Sequence, residues 1–473
     1  MRPVGITIVG WLLAMLVGCS VGPNYHASKV AMPGNWTEGS SGGTTNSPAK
    51  LMRWWRTFGD PQLDSFVERA VKSNFDLKAS EARVRAARAL RGSALADFLP
   101  TIDANGSYTK TRKSRNSLTF AQRIIDSDMY QVGFDANWEI DVFGGKRRSL
   151  EAANATLASI EADHLDVLVT LLGDVARNYI EVRGFQRRIK IARDNIRAQE
   201  EALEITQLRF KAGLASELDV SQATAVLQTT KADVPTLETS LEESIHRLSV
   251  LLGRPPGALA VELSKESPIP LTPPNVPVGL PADLLRRRPD VRSSERHLAA
   301  ATAEIGVATA ELFPKFYLTG TAGFESLHGS DLINPASKFW SAGPSVTWRL
   351  LEYPRLKAAI NSQTAQQEQA LAQYNQIVLT SLEEVENALI AYGKEKERWV
   401  SLNEAVKANR HALDLANQLY TKGLGEFLNV LDAERSLYQT EDQFIQSERT
   451  VSVNLVALYK ALGGGWETEK TQN

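Results

Sequence analysis

Cysteine is nearly missing from this chain: Cys19 is the only one among 473 residues. A lone thiol excludes any intrachain disulfide, so packing and hydrogen bonds must hold the fold. A surplus of charge of either sign is missing as well. Lys and Arg total 53 against 55 Asp and Glu, a formal net charge of -2, which provides no basic face or tail for nucleic acid. Histidine is scarce at six residues, and none forms a His-Glu-x-x-His pair. Gly144-Gly145-Lys146 lacks the upstream glycine and the following Ser or Thr of a phosphate-binding loop. Past Cys19, Met32, Met52 and Met129 are scattered, so no methionine ladder for soft metals exists. These absences argue against an enzyme and leave no cofactor site in view. After Cys19 there is also no run of about 18 apolar residues, so no helix of the exported chain can cross a bilayer.

What is present, above all, is an internal duplication. Asn74-Phe75-Asp76-Leu77-Lys78-Ala79-Ser80-Glu81 returns as Arg288-Pro289-Asp290-Val291-Arg292-Ser293-Ser294-Glu295, and Phe98-Leu99-Pro100 as Leu312-Phe313-Pro314. Trp138 matches Trp348, Gly213-Leu214 matches Gly423-Leu424, and Leu252-Gly253 matches Leu462-Gly463. A period of about 210 residues is too long for a solenoid and suits a duplicated domain-sized unit. Residues 1–18 read as a signal peptide, with Arg2 before an apolar stretch. Leu16-Val17-Gly18-Cys19 resembles a bacterial lipobox, in which the cysteine becomes the acylated N-terminus; the alternative is an ordinary cleaved signal with Cys19 incidental. Lipid chains there would supply about 0.8 kcal/mol of membrane affinity per buried methylene. An N-terminal arm (19–62), a first repeat (63–253), a proline-rich joint (254–280), a second repeat (281–463) and a tail (464–473) follow.

In the first repeat the spacing predicts helices over 63–98, 146–212 and 218–252. Leu165, Leu168, Leu172, Val175, Tyr179, Val182, Phe185 and Ile189 step by threes and fours, the seam of a coiled coil. At 1.5 Å per residue the long helix would reach about 100 Å. From Tyr130 to Asp141, apolar Tyr130, Val132, Phe134, Ala136, Trp138 and Ile140 alternate with polar residues and Gly133. A strand over 316–325 repeats this pattern, and weaker strands are expected over 101–112 and 341–349. About ten residues is the length of a tilted strand crossing a membrane.

A soluble sandwich would use such alternation to pack two sheets. Only four strands are available here, however, separated by helices too long for a sandwich. A closed bacterial barrel takes at least about eight strands, and lipid cannot satisfy the two open edges of four. Several copies must therefore pool their strands. Trp138 and Trp348, at matching strand ends, suit either an aromatic girdle at the interface or ordinary packing.

These residues resemble the outer-membrane factors of tripartite efflux systems, TolC-like channels, in their NodT-type lipoprotein branch. The resemblance rests on Cys19 with Val21-Gly22-Pro23-Asn24-Tyr25, on Trp54-Trp55 with Phe58-Gly59-Asp60-Pro61-Gln62-Leu63, and on Gly253-Arg254-Pro255-Pro256. Its most specific stretch is Gly279-Leu280-Pro281-Ala282-Asp283-Leu284-Leu285-Arg286-Arg287-Arg288-Pro289-Asp290-Val291-Arg292. The resemblance implies a fold that is mainly α with a membrane β-barrel, in which three copies build a twelve-stranded barrel and an α-helical tunnel. It implies a passive exit duct, an inner-membrane pump of the resistance-nodulation-division class, a periplasmic adaptor, and a diacylglyceryl and N-acyl lipid (palmitate) on Cys19. By the sorting pattern of such lipoproteins, Ser20 implies outer-membrane delivery. The turns at Gly213-Leu214 and Gly423-Leu424 would be the adaptor-docking periplasmic tip. Asp219 with Tyr420 would form a linking pair of the gate, and Asp432 would line a ring, with Asn429 where some relatives carry a second aspartate. The arginine that some members use in this network is absent, with Gly425 in its place. A periplasmic adaptor lipoprotein would share the acylated start and the coiled coil, but would show one helical hairpin rather than a duplicated unit.

Overall fold

A computed structural model describes residues 20–27, 30–37, 44–45, 51–112, 114, 126–270, 272–273 and 276–466. The expected signal peptide, Cys19, most of the first interstrand loop and the end of the tail lie outside the described residues. In chain order the main elements are α1 (Pro61–Ser73), α2 (Phe75–Ala96), β1 (Thr101–Arg112), β2 (Asp126–Ile140), α3 (Gly145–Lys211) and α4 (Glu217–Leu251). The second repeat supplies α5 (Pro289–Ala310), β3 (Lys315–Ser326), β4 (Lys338–Thr347), α6 (Tyr353–Thr421) and α7 (Phe427–Ala461). The element order expected from the duplication is present in both halves. Helices α3 and α6 run for 67 and 69 residues.

The expected single helix over 63–98 is two helices. Asn74 adopts an extended conformation, its Oδ1 accepts from the Leu77 amide at 2.9 Å as the N-cap of α2, and its Nδ2 donates to the Leu251 carbonyl at 3.0 Å. A side chain that satisfies two backbone groups at once makes the break stable. Gly253 closes against the same place: at φ +66° it has left-handed backbone, and a Cβ there would sit 2.6 Å from the Ser73 carbonyl oxygen. The second repeat does the same with different chemistry. Arg288 donates to the Ala461 carbonyl at 3.0 Å, and a Cβ on Gly463, also at positive φ, would meet the Arg288 Cα at 3.0 Å. The duplication is thus kept in contacts as well as in sequence.

The chain divides into two compact units, each drawing on both repeats. One contains Val84–Ile160 and Ser293–Tyr374 with the start of the arm, and it carries the sheet. The other, Val30–Arg83, Glu161–Arg292 and Asn375–Asn473, carries the main apolar core. There Trp54 stacks on Tyr459 at 5.2 Å between centroids, and Leu63, Phe66, Tyr179, Leu248 and Leu455 are fully buried around them. Asp60 opens α1 by accepting from the Gln62 and Leu63 amides at 2.8 and 3.2 Å, with Pro61 at the first helical position. Its second oxygen accepts the buried Tyr179 hydroxyl at 2.7 Å, which ties the cap to α3.

The four strands form one antiparallel sheet in the order β1-β2-β3-β4. Strand β2 begins at Asp126, four residues before the expected start, because Asp126 and Asp128 pair with Arg112 and Lys110. Strand β4 is shifted to begin at Lys338, opposite Phe324, and Trp348 lies just past its end. Pro344 lies on β4, an edge strand of this sheet, the place to which prolines within sheets are largely confined.

Candidate functional site

Residues directly opposite in this register share a face, so the sheet's two surfaces can be read row by row. Ile102, Ala136, Gly320 and Ala342 form one row, and Ala104, Phe134, Ala322 and Trp340 the next on that face. The opposite face carries Asp103, Asp135, Thr321 and Ser341 in one row, and Asn137 with Thr319 in another. Asn105 donates to Asp135 there. Ile102, Phe134, Trp340 and Val346 are all exposed. An apolar face this open suits hydrocarbon rather than water. Among the described residues no helix is long and apolar enough to cross a membrane.

Both tryptophans singled out in the sequence are half-exposed and bonded alike. Trp138 Nε1 donates to the Phe98 carbonyl at 2.8 Å, and Trp348 Nε1 to the Leu312 carbonyl at 3.0 Å. Each indole therefore has its polar end satisfied by the residue just before the neighbouring strand and its apolar body free, as interfacial aromatics require.

Beside this sheet end the N-terminal arm is pinned. The Val21 amide donates to the Phe143 carbonyl at 3.1 Å. Arg148, with a side chain only 4% exposed, donates to the Val21 and Gly22 carbonyls at 3.1 and 3.2 Å and to Asn24 Oδ1 at 2.7 Å. Gly22 at φ +87° lies so close that a Cβ would be 2.5 Å from Gly306 Cα, and a Cβ on Gly306 would be 2.7 Å from Arg148 Cγ. Sequence reasoning did not single out Arg148, since an arginine in the first turn of a helix opposes the helix dipole and carries no visible purpose. Replacing Arg148 by alanine strands two backbone carbonyls and is expected to cost the arm about 2 kcal/mol. Hydrogen exchange over residues 20–27 should then accelerate by at least about tenfold; unchanged protection would show that the arm is held otherwise.

The two helix turns expected at the tip have the same backbone and different caps. At the end of α3 the Gly213 amide donates to the Phe210 carbonyl and the Leu214 amide to the Arg209 carbonyl at 2.9 and 2.8 Å. At the end of α6 the Gly423 and Leu424 amides do the same to Tyr420 and Leu419 at 3.0 and 2.9 Å. This is the Schellman arrangement, and it demands the φ of +72° and +71° found at Gly213 and Gly423. In many such turns the residue after the glycine folds back onto the helix. Here Leu214 and Leu424 are 69% and 74% exposed.

Beyond the turns the repeats part. Ser216 and Asp219 form a reciprocal capping box on α4: Asp219 accepts from the Ser216 amide and hydroxyl at 2.8 and 2.9 Å, and its own amide donates to Ser216 Oγ at 3.2 Å. The matching positions of α7 are Glu426 and Asn429, and Glu426 makes no side-chain cap. Asp219 and Tyr420 are not brought into a hydrogen bond within the chain. Tyr420 is buried against Phe427, ring centroids 5.3 Å apart, with Val430 and Ala223 in the same cluster. Its hydroxyl has no partner among the described residues. Over its ring, at 4.3 Å, lies the guanidinium of Arg209, which also donates to the Tyr420 carbonyl at 3.5 Å. Arg209 thus brings a cation from α3 onto the last turn of α6. In the sequence it reads only as a basic residue complementing a helix C-terminus. Asn429 is exposed, and exposed Asp432 has Arg435 at 3.7 Å.

One turn further along α7, Glu434 is nine-tenths buried and one carboxyl oxygen has no partner. Burial alone pushes its pKa up to about 7. No group of three or more metal-ligating side chains occurs among the described residues.

The sequence profile of the family described as outer membrane efflux protein matches residues 66–254 and 280–464. Nodulation protein T of Rhizobium leguminosarum bv. trifolii is 32% identical over 457 residues, covering 96% of each chain. Pyoverdine export outer membrane protein OpmQ of Pseudomonas aeruginosa is 32% identical over 465 residues, again 96% of each. Among solved structures, the outer-membrane channel OprN superposes with a TM-score of 0.90 at 39% identity, covering 95% of this chain and all of that one.

Proposed function

Because this chain belongs to the outer membrane efflux protein family, we propose that three copies of it form a passive duct that a periplasmic adaptor couples to an inner-membrane pump of the resistance-nodulation-division class. The chain is an outer-membrane efflux channel component with a TolC-like fold. The observation that carries the trimer is the sheet with its two unpaired edges, β1 and β4, attached to helices of 67 and 69 residues. A sheet edge in hydrocarbon leaves a row of backbone groups unbonded at several kcal/mol each, so the edges must close on other copies. Twelve strands are enough to close. Apolar side chains flank both edges: Leu90, Leu95 and Leu99 before β1, and Leu350, Leu351 and Tyr353 after β4, all exposed in the single chain. Lipid on Cys19 anchors the arm that Arg148 holds beside the strand ends.

The tip is the gate. Leu214 and Leu424, held outward by Gly213 and Gly423, are the adaptor's contacts. Asp432 and Asn429 face the channel axis, where three carboxylates attract cations and resist close approach. Tyr420, Asp219 and Arg209 keep the hairpins together at rest.

Size and composition of the detergent-extracted protein test the assembly. A particle of about three times the 52.0 kDa of one chain, extracted only from the outer-membrane fraction, is expected; a monomer soluble without detergent would exclude the duct.

A further inference from the structure

The two strand hairpins are duplicates, yet their apolar faces differ at one level. Matching Trp138 with Trp348 aligns Asp128 with Lys338 and Tyr130 with Trp340; matching Pro100 with Pro314 aligns Lys110 with Phe324 and Tyr108 with Ala322. The register turns each set into a cross-strand pair: Lys110 opposite Asp128 and Phe324 opposite Lys338, Tyr108 opposite Tyr130 and Ala322 opposite Trp340.

In the first hairpin this level is covered and neutral. Lys110 Nζ lies 3.8 Å from Asp128, the Tyr108 hydroxyl donates to Asp128 at 2.9 Å, and the two tyrosine rings pack at 4.9 Å. In the second hairpin both features are undone. Phe324 replaces the lysine, Lys338 replaces the aspartate, and Lys338 has no carboxylate partner among the described residues. Ala322, where the first hairpin has a tyrosine, leaves a groove of about 910 Å³. Gly106, Phe134, Ala322, Phe324, the 79% exposed Trp340 and Lys338 are among the residues that line it.

Height fixes which lipid leaflet the groove meets. Lys338 opens the ten-residue β4 at its loop end, and Trp348 follows the other end. At about 3.3 Å per residue and the tilt of a barrel strand, the two are separated by roughly the apolar band of an outer-membrane barrel. Trp348 is at the helix end, which faces the periplasm, so Lys338 is at the outer interface. An apolar trough with a cation that has no carboxylate partner among the described residues, at the headgroup level, matches a ligand with an acyl chain and a phosphate.

We propose that the groove seats an acyl chain of the phosphorylated glycolipid of the outer leaflet, with Lys338 bound to its phosphate. Among the described residues the tyrosine pair covers this level in the first hairpin, so the site belongs to the second. The inference rests on the barrel reading above and adds to it a specific lipid position.

Native mass spectrometry of the detergent-solubilised assembly, incubated with diphosphoryl lipid A, tests it. Wild type should retain the lipid. Lys338→Ala, which removes the charge, and Ala322→Tyr, which fills the trough with the first hairpin's own residue, should each lower retention by about tenfold, the loss expected for a charge-assisted bond or a filled pocket. Dephosphorylated lipid A should be retained by wild type no better than diphosphoryl lipid A is by Lys338→Ala. Equal retention by all three proteins would overturn the proposal, as would equal retention of the dephosphorylated lipid, or retention of phosphatidylglycerol as strong as that of lipid A. Bilayer conductance of the same preparations separates the two readings. Conducting variants with unchanged lipid retention sink the groove alone, whereas wild type and Arg209→Ala that both never conduct sink the barrel.

Discussion

Replacing Arg209 by alanine is expected to open the resting channel, raising single-channel conductance in planar bilayers several-fold and making cells sensitive to vancomycin. The guanidinium stacked on Tyr420 at 4.3 Å joins the last turn of α3 to the last turn of α6, in one chain but across two repeats. A cation over an aromatic face contributes about 0.5 to 2 kcal/mol, the more so when partly desolvated, and Arg209 Nε is buried with no hydrogen-bond partner among the described residues. A loss near 1.4 kcal/mol is a factor of about ten in the ratio of open to closed. Tyr420→Ala should open the tip further, because it also removes the contact with Phe427. Arg209→Lys keeps the charge, loses the planar stacking, and should fall between wild type and Arg209→Ala. Asp219→Ala acts by another route, fraying the first turn of α4 at a cost of about 1 kcal/mol. Unchanged conductance and vancomycin resistance in Arg209→Ala and Tyr420→Ala would remove both from the gate.

Glu434→Gln is expected to stabilise the helices at neutral pH and to flatten their response to pH. The folded chain holds a proton on Glu434 up to about pH 7, against an ordinary carboxyl value of 4.5. Between those values the folded state therefore binds more protons than the unfolded one, and stability falls as pH rises. The favourable contribution is fully present below about pH 4.5 and gone above about pH 7. Its size is roughly 3 kcal/mol, since each pH step of one between those two values is worth about 1.4 kcal/mol. Glutamine keeps the shape of the protonated carboxyl and cannot ionise. Thermal unfolding followed by circular dichroism should show the variant melting higher than wild type above about pH 7 and close to it below about pH 4.5. Parallel melting curves at every pH would mean that Glu434 ionises freely. Glu434 sits between buried Leu431 and Leu437 on α7, so its ionisation loads the hairpin whose N-terminus lacks a side-chain cap.

Several of these elements could be read from residue order because their signals are local. Period-two alternation in 130–141 marks a strand wherever it lies, and β2 covers all but the last of those residues. The mostly polar stretch 101–112 looked weak, yet β1 spans it completely, since alternate Ile102, Ala104, Gly106 and Tyr108 still make a consistent face. Gly213 and Gly423 were legible because a left-handed residue at a helix end nearly requires glycine. The break at Asn74 was not legible: asparagine stops a helix only where something receives its amide, and that receiver is Leu251, 177 residues away.

The same distance hid the two arginines. Arg209 meets Tyr420 across 211 residues of chain, and Arg148 meets Val21 across 127. Each is one charged residue among many on a helix surface until its partner is known. Asp219 shows the reverse. The family resemblance implies it as a partner for Tyr420, while within the chain its carboxylate is occupied three residues back by Ser216.

Composition, duplication and periodicity by themselves determined that this chain has two equivalent halves, four membrane-suited strands and long helices, because those properties depend on neighbours within a turn or a strand. Only the tertiary structure decided how the halves differ: a side-chain-capped tip and one without that cap, a neutral tyrosine-covered hairpin and an open one whose lysine has no carboxylate partner among the described residues. Those differences arise where residues far apart in sequence meet, and a side chain's charge or size has consequences only against the partner that packing gives it.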